Sequence, residues 1–201
     1  MKFNLIQMET WERKEYYNHY INNIVCTYSV TVNLNITNLV GQKIYPAMLW
    51  LLTDTVNELK EFRTSLSLDG LGIYEDMNPS YTIFNKENKN FSEIWTKFDK
   101  DYNKFLALYE KDSENYSTST KLSPKTDQPR NVFNVSMLPW VTFSAFNLNI
   151  HSDGKYLLPI FTMGKTFIQE EKTMLPLAIQ VHHAICDGYH VGVFVETLQK
   201  K

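Results

Sequence analysis

Residues 26–36 alternate strictly between apolar and small polar side chains. A period of two fits a β-strand and no helix, because successive side chains of a strand point to opposite faces. One face of this strand is apolar, and the other is rich in Asn and Thr. The apolar face calls for a core, and the polar face suits water or a cavity, so the chain is expected to build a sheet that is covered on one side.

The rest of the chain mixes helical and strand patterns. Helical spacing of apolar and aromatic residues predicts helices at 11–20, from Pro46 to Leu59, from an N-cap at Ser92 to Tyr109, and at 188–198. Short apolar runs predict strands at 63–68, 71–75, 81–84, 132–137, 142–150, 156–167 and 174–182, with a hairpin turn at Asp69-Gly70. The polar stretch 111–130 is expected to be a surface loop and not a domain boundary. We therefore expect one α+β domain, residues 1–201, in which helices and a sheet form two layers.

Composition excludes several classes of protein. The 201 residues carry 20 basic and 22 acidic side chains, a formal net charge of -2 that gives no case for nucleic-acid binding. The first ten residues lack the pattern of a secretory signal, and the most apolar stretch, 44–52, is too short to span a bilayer. Cys26 and Cys186 form no CxxC pair. The expectation is a protein of the reduced cytoplasm.

Reactive side chains are most closely grouped in the segment QVHHAICDG, residues 180–188. Two histidines close an apolar strand, and Asp187 and Gly188 follow within a turn's length. A strand end is a rigid place for a general base, the aspartate can hold geometry, and the glycine is expected to let the backbone turn. His183 is the candidate base. The ordinary alternative, a histidine whose nitrogens are satisfied by backbone groups, is disfavoured by the HHxxxDG context.

Two other uses of this run are less favoured. Four possible metal ligands lie within nine positions, namely His182, His183, Asp187 and His190. Strand alternation, however, points His182 and His183 to opposite faces, so no metal is expected. Cys186 could be a nucleophile, yet it shows no nucleophile motif, and a small buried residue is the preferred interpretation. The chain also lacks the GxSxG, GxGxxG and P-loop patterns of common hydrolases and nucleotide-binding proteins.

With HHAICDG the chain resembles the chloramphenicol acetyltransferases, members of the HxxxDG acyltransferases that also include the catalytic cores of dihydrolipoyl acyltransferases. The similarity covers nearly the whole chain and includes, in order, WERKEYYNHY, FRTSL, SYTIF, NFSEIW, FNVSMLPWVTFSAFNLN, LPIFTMGK and QVHHAICDGYHV. The resemblance implies a mixed sheet packed with helices. It also implies direct acetyl transfer from acetyl-CoA, a cosubstrate, to the 3-hydroxyl of chloramphenicol without an acyl-enzyme, and hence antibiotic resistance.

The resemblance assigns roles to particular residues. His183 would be the general base, and Ser136 would stabilise the oxyanion. Asp187 would form a structural ion pair with Arg13. The acceptor pocket would correspond to Tyr20, Ile24, Cys26, Tyr28, Asn134, Leu148, Tyr156 and Thr162, and the coenzyme path to Lys43, Tyr45, Trp140 and Lys165.

The family implies a homotrimer with each active site between two subunits, one of which supplies the histidine. Thr166 stands where relatives often carry tyrosine, which would weaken stacking on the adenine of the coenzyme. No Ala/Pro-rich linker or lipoyl-type domain accompanies the motif, which argues against a dihydrolipoyl acyltransferase. Two alternatives stay open: acetylation of another hydroxyl acceptor, and sequestration of the antibiotic without catalysis.

Overall fold

The computed structural model describes residues 2–150 and 153–201, in which short and long strands are interleaved with helices. The strands are β1 (Phe3–Leu5), β2 (Thr27–Asn35), β3 (Thr64–Ser67), β4 (Gly70–Tyr74), β5 (Asn78–Asn85), β6 (Asn90–Trp95), β7 (Val132–Met137), β8 (Ile160–Met163), β9 (Phe167–Gln169) and β10 (Lys172–His182). The helices are α1 (Lys14–Asn18), α2 (Ile44–Glu58), α3 (Tyr102–Tyr116) and α4 (Gly188–Gln199). Short turns of helix lie at Thr37–Leu39 and Glu61–Arg63.

The main sheet is mixed. Its strands run in the order β2-β10-β8-β7-β5-β6, with β9 paired beside β8 on the same edge of β10. β7 is parallel to both β5 and β8, and the other pairs are antiparallel. A separate small sheet, β1-β4-β3, contains the expected hairpin, but its two turn residues are Leu68 and Asp69 and not Asp69 and Gly70, because Ser67 pairs with Gly70. Gly70 has a φ of +127°, a conformation that residues with a Cβ rarely adopt, so glycine is required there.

Helices α2 and α4 cover one side of the main sheet and supply much of the core. Leu49, Leu52 and Val56 of α2 are fully buried, as the helical spacing predicted. A run of stacked rings joins the helices to the sheet: Phe194 of α4 lies 4.5 Å from Phe62 and 5.1 Å from Phe161, measured between ring centroids. Within residues 2–150 and 153–201, every helix is too short or too polar to cross a membrane.

Truncation of Phe194, the middle ring of this stack, should lower the stability of the protein more than any surface change. Phe194→Ala empties a fully buried site between Phe62 and Phe161, so we expect the free energy of unfolding to fall by about 3–5 kcal/mol. Phe91→Ala is the matched control: Phe91 is 54% exposed and pairs with Phe84 across two strands, a contact worth at most about 1 kcal/mol. Denaturant unfolding measures both variants, and equal losses would contradict this account of the core.

The predicted helix at 92–109 is wrong in its first half. Residues 90–95 form β6, which pairs along its whole length with β5, Phe91 opposite Phe84. The helix begins ten residues later, where Asp101 caps it by accepting hydrogen bonds from the backbone N–H groups of Asn103 and Lys104 at 2.9 and 3.4 Å. It then runs to Tyr116, into the segment 111–130 that was expected to be a loop.

The predicted strand at 142–150 is also wrong, because this stretch has no regular structure. Some of its backbone N–H groups bind side chains instead of a neighbouring strand: Phe146 N–H donates to Thr31 Oγ1 at 3.3 Å, and Leu148 N–H donates to Gln180 Oε1 at 3.0 Å. The predicted strand at 156–167 shortens to β8, with β9 a separate strand after it. The helix expected at 11–20 consists of α1 and a π-helical turn, His19–Asn23.

Candidate active site

The end of β10 places His183 at the boundary between the sheet and α4. The backbone N–H of His183 donates to the carbonyl of Cys26 at 2.9 Å, which prolongs the pairing of β10 with β2 by one residue. The chain then turns, with the N–H groups of Ile185 and Cys186 both donating to His182 O at 3.0 Å. Gly188 begins α4 without a positive φ, and a Cβ there would meet no atom within 4 Å. The expectation that the turn needs glycine at this position is therefore wrong.

Two tyrosines hold the imidazole of His183. Its ring stacks on Tyr20, with centroids 4.3 Å apart and planes 8° apart, and it meets Tyr28 edge-on at 5.3 Å. Nδ1 is buried, and among the residues that the structure describes it has no hydrogen-bond partner. Since Nδ1 faces the interior, only Nε2 can reach a substrate, and the two rings fix the direction in which it points.

Arg13 and Asp187 form the ion pair that the resemblance implied. Arg13 Nη1 lies 2.8 Å from Asp187 Oδ2, with the side chains 16% and 34% exposed, and Nη2 donates to the carbonyl of His183 at 3.4 Å. Burial alone would raise the pKa of Asp187, but the hydrogen bond from Arg13 and the neighbouring charges of His190 and Arg13 hold it below its ordinary value. The ion pair therefore fixes the turn that carries His183 at both of its ends.

The other candidates in the run are buried. His182 is 1% exposed, and its Nδ1 accepts a hydrogen bond from the Ala184 N–H at 3.1 Å. Burial lowers the pKa of His182 and raises that of the Cys186 thiol, so neither is suited to carry charge. The interpretation of Cys186 as a small buried residue, not a nucleophile, is consistent with this. Outside residues 1, 151 and 152, no three His, Cys, Asp or Glu side chains are grouped to hold a metal ion.

A second group of predicted residues, which includes Ser136, lies on β7 and β8. Ser136 and Thr162 lie opposite each other on β7 and β8 and share a hydrogen bond of 3.1 Å between their hydroxyls. Asn134, two residues earlier on β7, borders an open cleft of about 720 Å³ together with Tyr156. Leu148 is bonded to Gln180 of β10 through its backbone, and Ile24 is 58% exposed on the surface.

The register of the main sheet places Ser136 far from His183 within one chain. Ser136 pairs with Thr162, and Thr162 pairs with Ala178 of β10, four residues before His182. With about 3.3 Å per residue and about 4.8 Å between strands, the Cα atoms of Ser136 and His182 lie about 16 Å apart. A serine hydroxyl and an imidazole cannot reach the same substrate atom across that distance, so one chain does not bring its own Ser136 and His183 together.

The four residues assigned to the coenzyme are not gathered into one place either. Tyr45 donates a hydrogen bond to the carbonyl of Thr82 at 2.9 Å and packs edge-on against Tyr81, whereas Trp140 packs on Phe84, 4.8 Å between centroids. Tyr81 and Phe84 are three residues apart on β5, so their side chains lie on opposite faces of the sheet. Tyr45 and Trp140 are therefore separated by the sheet.

The two lysines assigned to the coenzyme lie at the surface. Lys43 forms a 2.6 Å ion pair with Glu110 of α3. Lys165 is exposed, and its backbone N–H donates to the carbonyl of Val141, next to Trp140. The four candidates thus form two pairs: Lys43 and Tyr45 contact Glu110 and Tyr109 of α3, whereas Lys165 lies near Trp140.

The sequence marked His190 only as a possible metal ligand, and the structure places it against Asp187 instead. His190 lies 2.8 Å from Asp187 Oδ1 through its Nδ1, on the oxygen that Arg13 leaves free. Asp187 is the N-cap of α4 and His190 is the third helical residue, the spacing of a capping box. An aspartate followed three residues later by a side chain with a polar atom was the signal that could have found it.

Solved structures share this fold. A chloramphenicol acetyltransferase superposes with a TM-score of 0.87 at 22% identity, covering 99% of both chains. The dihydrolipoamide acetyltransferase of Azotobacter vinelandii gives 0.69 at 17% identity, covering 100% of this chain and 89% of the other. At these identities the likeness concerns the fold, a mixed α/β arrangement of helices and sheets.

Sequence relatives narrow the class. The model of the family described as chloramphenicol acetyltransferase matches residues 1–199. A chloramphenicol acetyltransferase of Clostridium perfringens is 49% identical over 207 aligned residues, which cover 100% of this chain and 94% of the relative, and one of Campylobacter coli is 47% identical, covering 99% and 98%. The chain belongs to the chloramphenicol acetyltransferase family of acyltransferase enzymes, and the resemblance seen in its sequence is confirmed.

Proposed function

We propose that this enzyme transfers the acetyl group of acetyl-CoA to the 3-hydroxyl of chloramphenicol, and thereby gives resistance to the antibiotic. The observation that supports this most directly is the imidazole of His183, fixed between Tyr20 and Tyr28 with only Nε2 able to face a substrate. Relatives named for this activity are about half identical to the chain over its full length.

The proposed reaction is a direct transfer. Nε2 of His183 removes the proton of the hydroxyl while the oxygen attacks the thioester carbonyl, and the hydroxyl of Ser136 donates a hydrogen bond to the oxyanion that forms. When the intermediate collapses, the C–S bond breaks, the thiolate of coenzyme A leaves, and the imidazolium returns the proton to it. Atoms and charge balance without an acyl-enzyme. Burial raises the pKa of the Cys186 thiol, which is consistent with a mechanism that uses no cysteine nucleophile.

The pocket residues inferred from the family are part of the proposal. Tyr20, Cys26 and Tyr28 contact His183 directly, through rings or backbone. The remaining acceptor residues would be Ile24, Asn134, Leu148, Tyr156 and Thr162. Acetyl-CoA would pass along Lys43, Tyr45, Trp140 and Lys165.

We also propose that three chains assemble with each active site between two of them. Ser136 and His183 of one chain are too far apart to cooperate, but Ser136 of one subunit could meet His183 of the next. β2 is an edge strand, and beside it Val30, Val32, Val191 and Val195 line an apolar groove. An uncovered strand edge next to apolar surface is a typical place for another subunit. Each subunit would be a single two-layered domain, residues 1–201, working in the cytoplasm with no nucleic-acid or membrane partner.

Release of free coenzyme thiol tests the activity. Incubated with acetyl-CoA and chloramphenicol, the enzyme should release thiol, and with the 3-deoxy analogue of chloramphenicol it should release none, because the acceptor oxygen is missing. No release with either compound, from folded protein that binds coenzyme, would point to another acceptor. Tight binding of chloramphenicol without coenzyme binding would point to a sequestering protein.

A further inference from the structure

The carboxylate of Asp187 is held by two different side chains, one on each oxygen. Arg13 binds Oδ2 at 2.8 Å. Oδ1 lies 2.8 Å from Nδ1 of His190 and also accepts from the backbone N–H of Tyr189 at 3.2 Å. The ion pair with Arg13 is therefore only half of what fixes Asp187.

The geometry decides which nitrogen of His190 carries hydrogen. An ionised carboxylate can only accept, so a separation of 2.8 Å from Oδ1 requires a hydrogen on Nδ1. The backbone N–H of Asp187 also points at Nδ1 from 3.2 Å. It cannot donate to a nitrogen that already bears a hydrogen in the ring plane, so the shorter contact with the carboxylate is the hydrogen bond.

The other nitrogen of His190 connects the site to the helical layer. Nε2 lies 3.9 Å from Glu61 Oε1, within ion-pair range but too far for a hydrogen bond, and both side chains are 17% exposed. Glu61 begins the short helical turn that follows α2 and is adjacent to Phe62 of the ring stack. The contacts thus run from the core through Glu61 and His190 to Asp187.

We propose that His190 is a positioning residue for the transfer reaction: its Nδ1–H holds Asp187 so that the turn carrying His183 keeps one conformation. His190 does not touch the substrate in this account. It acts through Asp187, whose other partner Arg13 also binds the carbonyl of His183. The inference rests on the proposed role of His183, and it deepens that role by naming a second group that aims the base.

A pair of substitutions separates the hydrogen bond from the shape of the side chain. His190→Asn places an amide N–H near the position of Nδ1, whereas His190→Leu fills similar space without a donor. We expect kcat of His190→Leu to fall by about tenfold or more with both KM values unchanged, and kcat of His190→Asn to stay within about threefold of the parent. Glu114→Gln, an exposed change on α3, is the control.

Amide hydrogen exchange of residues 183–187 gives a readout that needs no substrate. Loss of the Asp187 contact should speed exchange in His190→Leu by about tenfold and leave His190→Asn near the parent rate. Parent-like exchange and kcat in His190→Leu, or equal losses in both variants, would overturn the proposal. If His190→Leu does not fold, His190→Asn alone tests the proposal: it must keep a kcat close to that of the parent, and a large loss of kcat would contradict the proposal. A parent that fails to acetylate chloramphenicol would contradict the proposed function, while the exchange data would still test His190.

Discussion

His183→Ala should abolish acetyl transfer while leaving a folded protein that binds chloramphenicol. Removing a positioned general base costs about 10²- to 10⁴-fold in rate, and we expect a loss toward the upper end. Two neighbouring histidines are already engaged, since His182 is buried and bonded to the Ala184 N–H, and His190 is held against Asp187. The measurement is steady-state thiol release, with kcat and KM separated. A base that acts only in the transition state predicts a loss in kcat at nearly constant KM.

The affinity of His183→Ala for chloramphenicol decides how its loss of turnover is interpreted. Equilibrium titration of His183→Ala with chloramphenicol should give a Kd within about threefold of the parent, since in the proposed pocket the ring is part of the wall and not a polar anchor. His183→Gln is a second variant that keeps a polar side chain between Tyr20 and Tyr28. Appreciable turnover by either variant would rule out His183 as the base, and loss of binding together with turnover would make its role structural.

Local patterns predicted the strands with alternating faces well. β7 spans the predicted residues, β2 and β10 differ from prediction by one or two residues at their ends, and α4 differs by one. These segments carry signals that do not depend on distant parts of the chain: β-branched residues in alternation, or a capped amphipathic run. The opposite environments of His182 and His183 also followed from alternation alone, one being buried and the other stacked between tyrosine rings.

The wrong predictions have a common cause, which is contact with residues far away in the sequence. The aromatic residues from Trp95 to Tyr109 recur with helical spacing, yet residues 90–95 pair with β5, a contact that no local signal announces. The stretch 142–150 has strand-like residues, but side chains of Thr31 and Gln180 satisfy some of its backbone donors. For the site, the tyrosines beside His183 lie some 160 positions earlier in the chain and entered the prediction only through the resemblance. The separation of Ser136 from His183 needed the sheet register.

Ser136→Ala should lower kcat by about 100-fold, the usual cost of losing one oxyanion donor. The change removes a single oxygen whose present partner is the hydroxyl of Thr162 at 3.1 Å, so folding should be little affected. Ser92→Ala, which deletes a buried hydroxyl bonded to the carbonyl of Lys121, is the matched control and should keep the parent rate. An unchanged rate in Ser136→Ala would remove the serine from the mechanism.

Mixing the two inactive variants tests where the site is assembled. If His183 of one subunit works with Ser136 of its neighbour, random trimers of His183→Ala and Ser136→Ala chains have both groups intact at about one site in four, because each site draws one residue from each of two chains. Thiol release should then rise to about a quarter of the parent rate, far above either variant alone. If both groups acted within one chain, no mixed trimer would contain an intact site, and mixing would restore nothing. The register distance of about 16 Å between Ser136 and His182 in a single chain favours the first outcome.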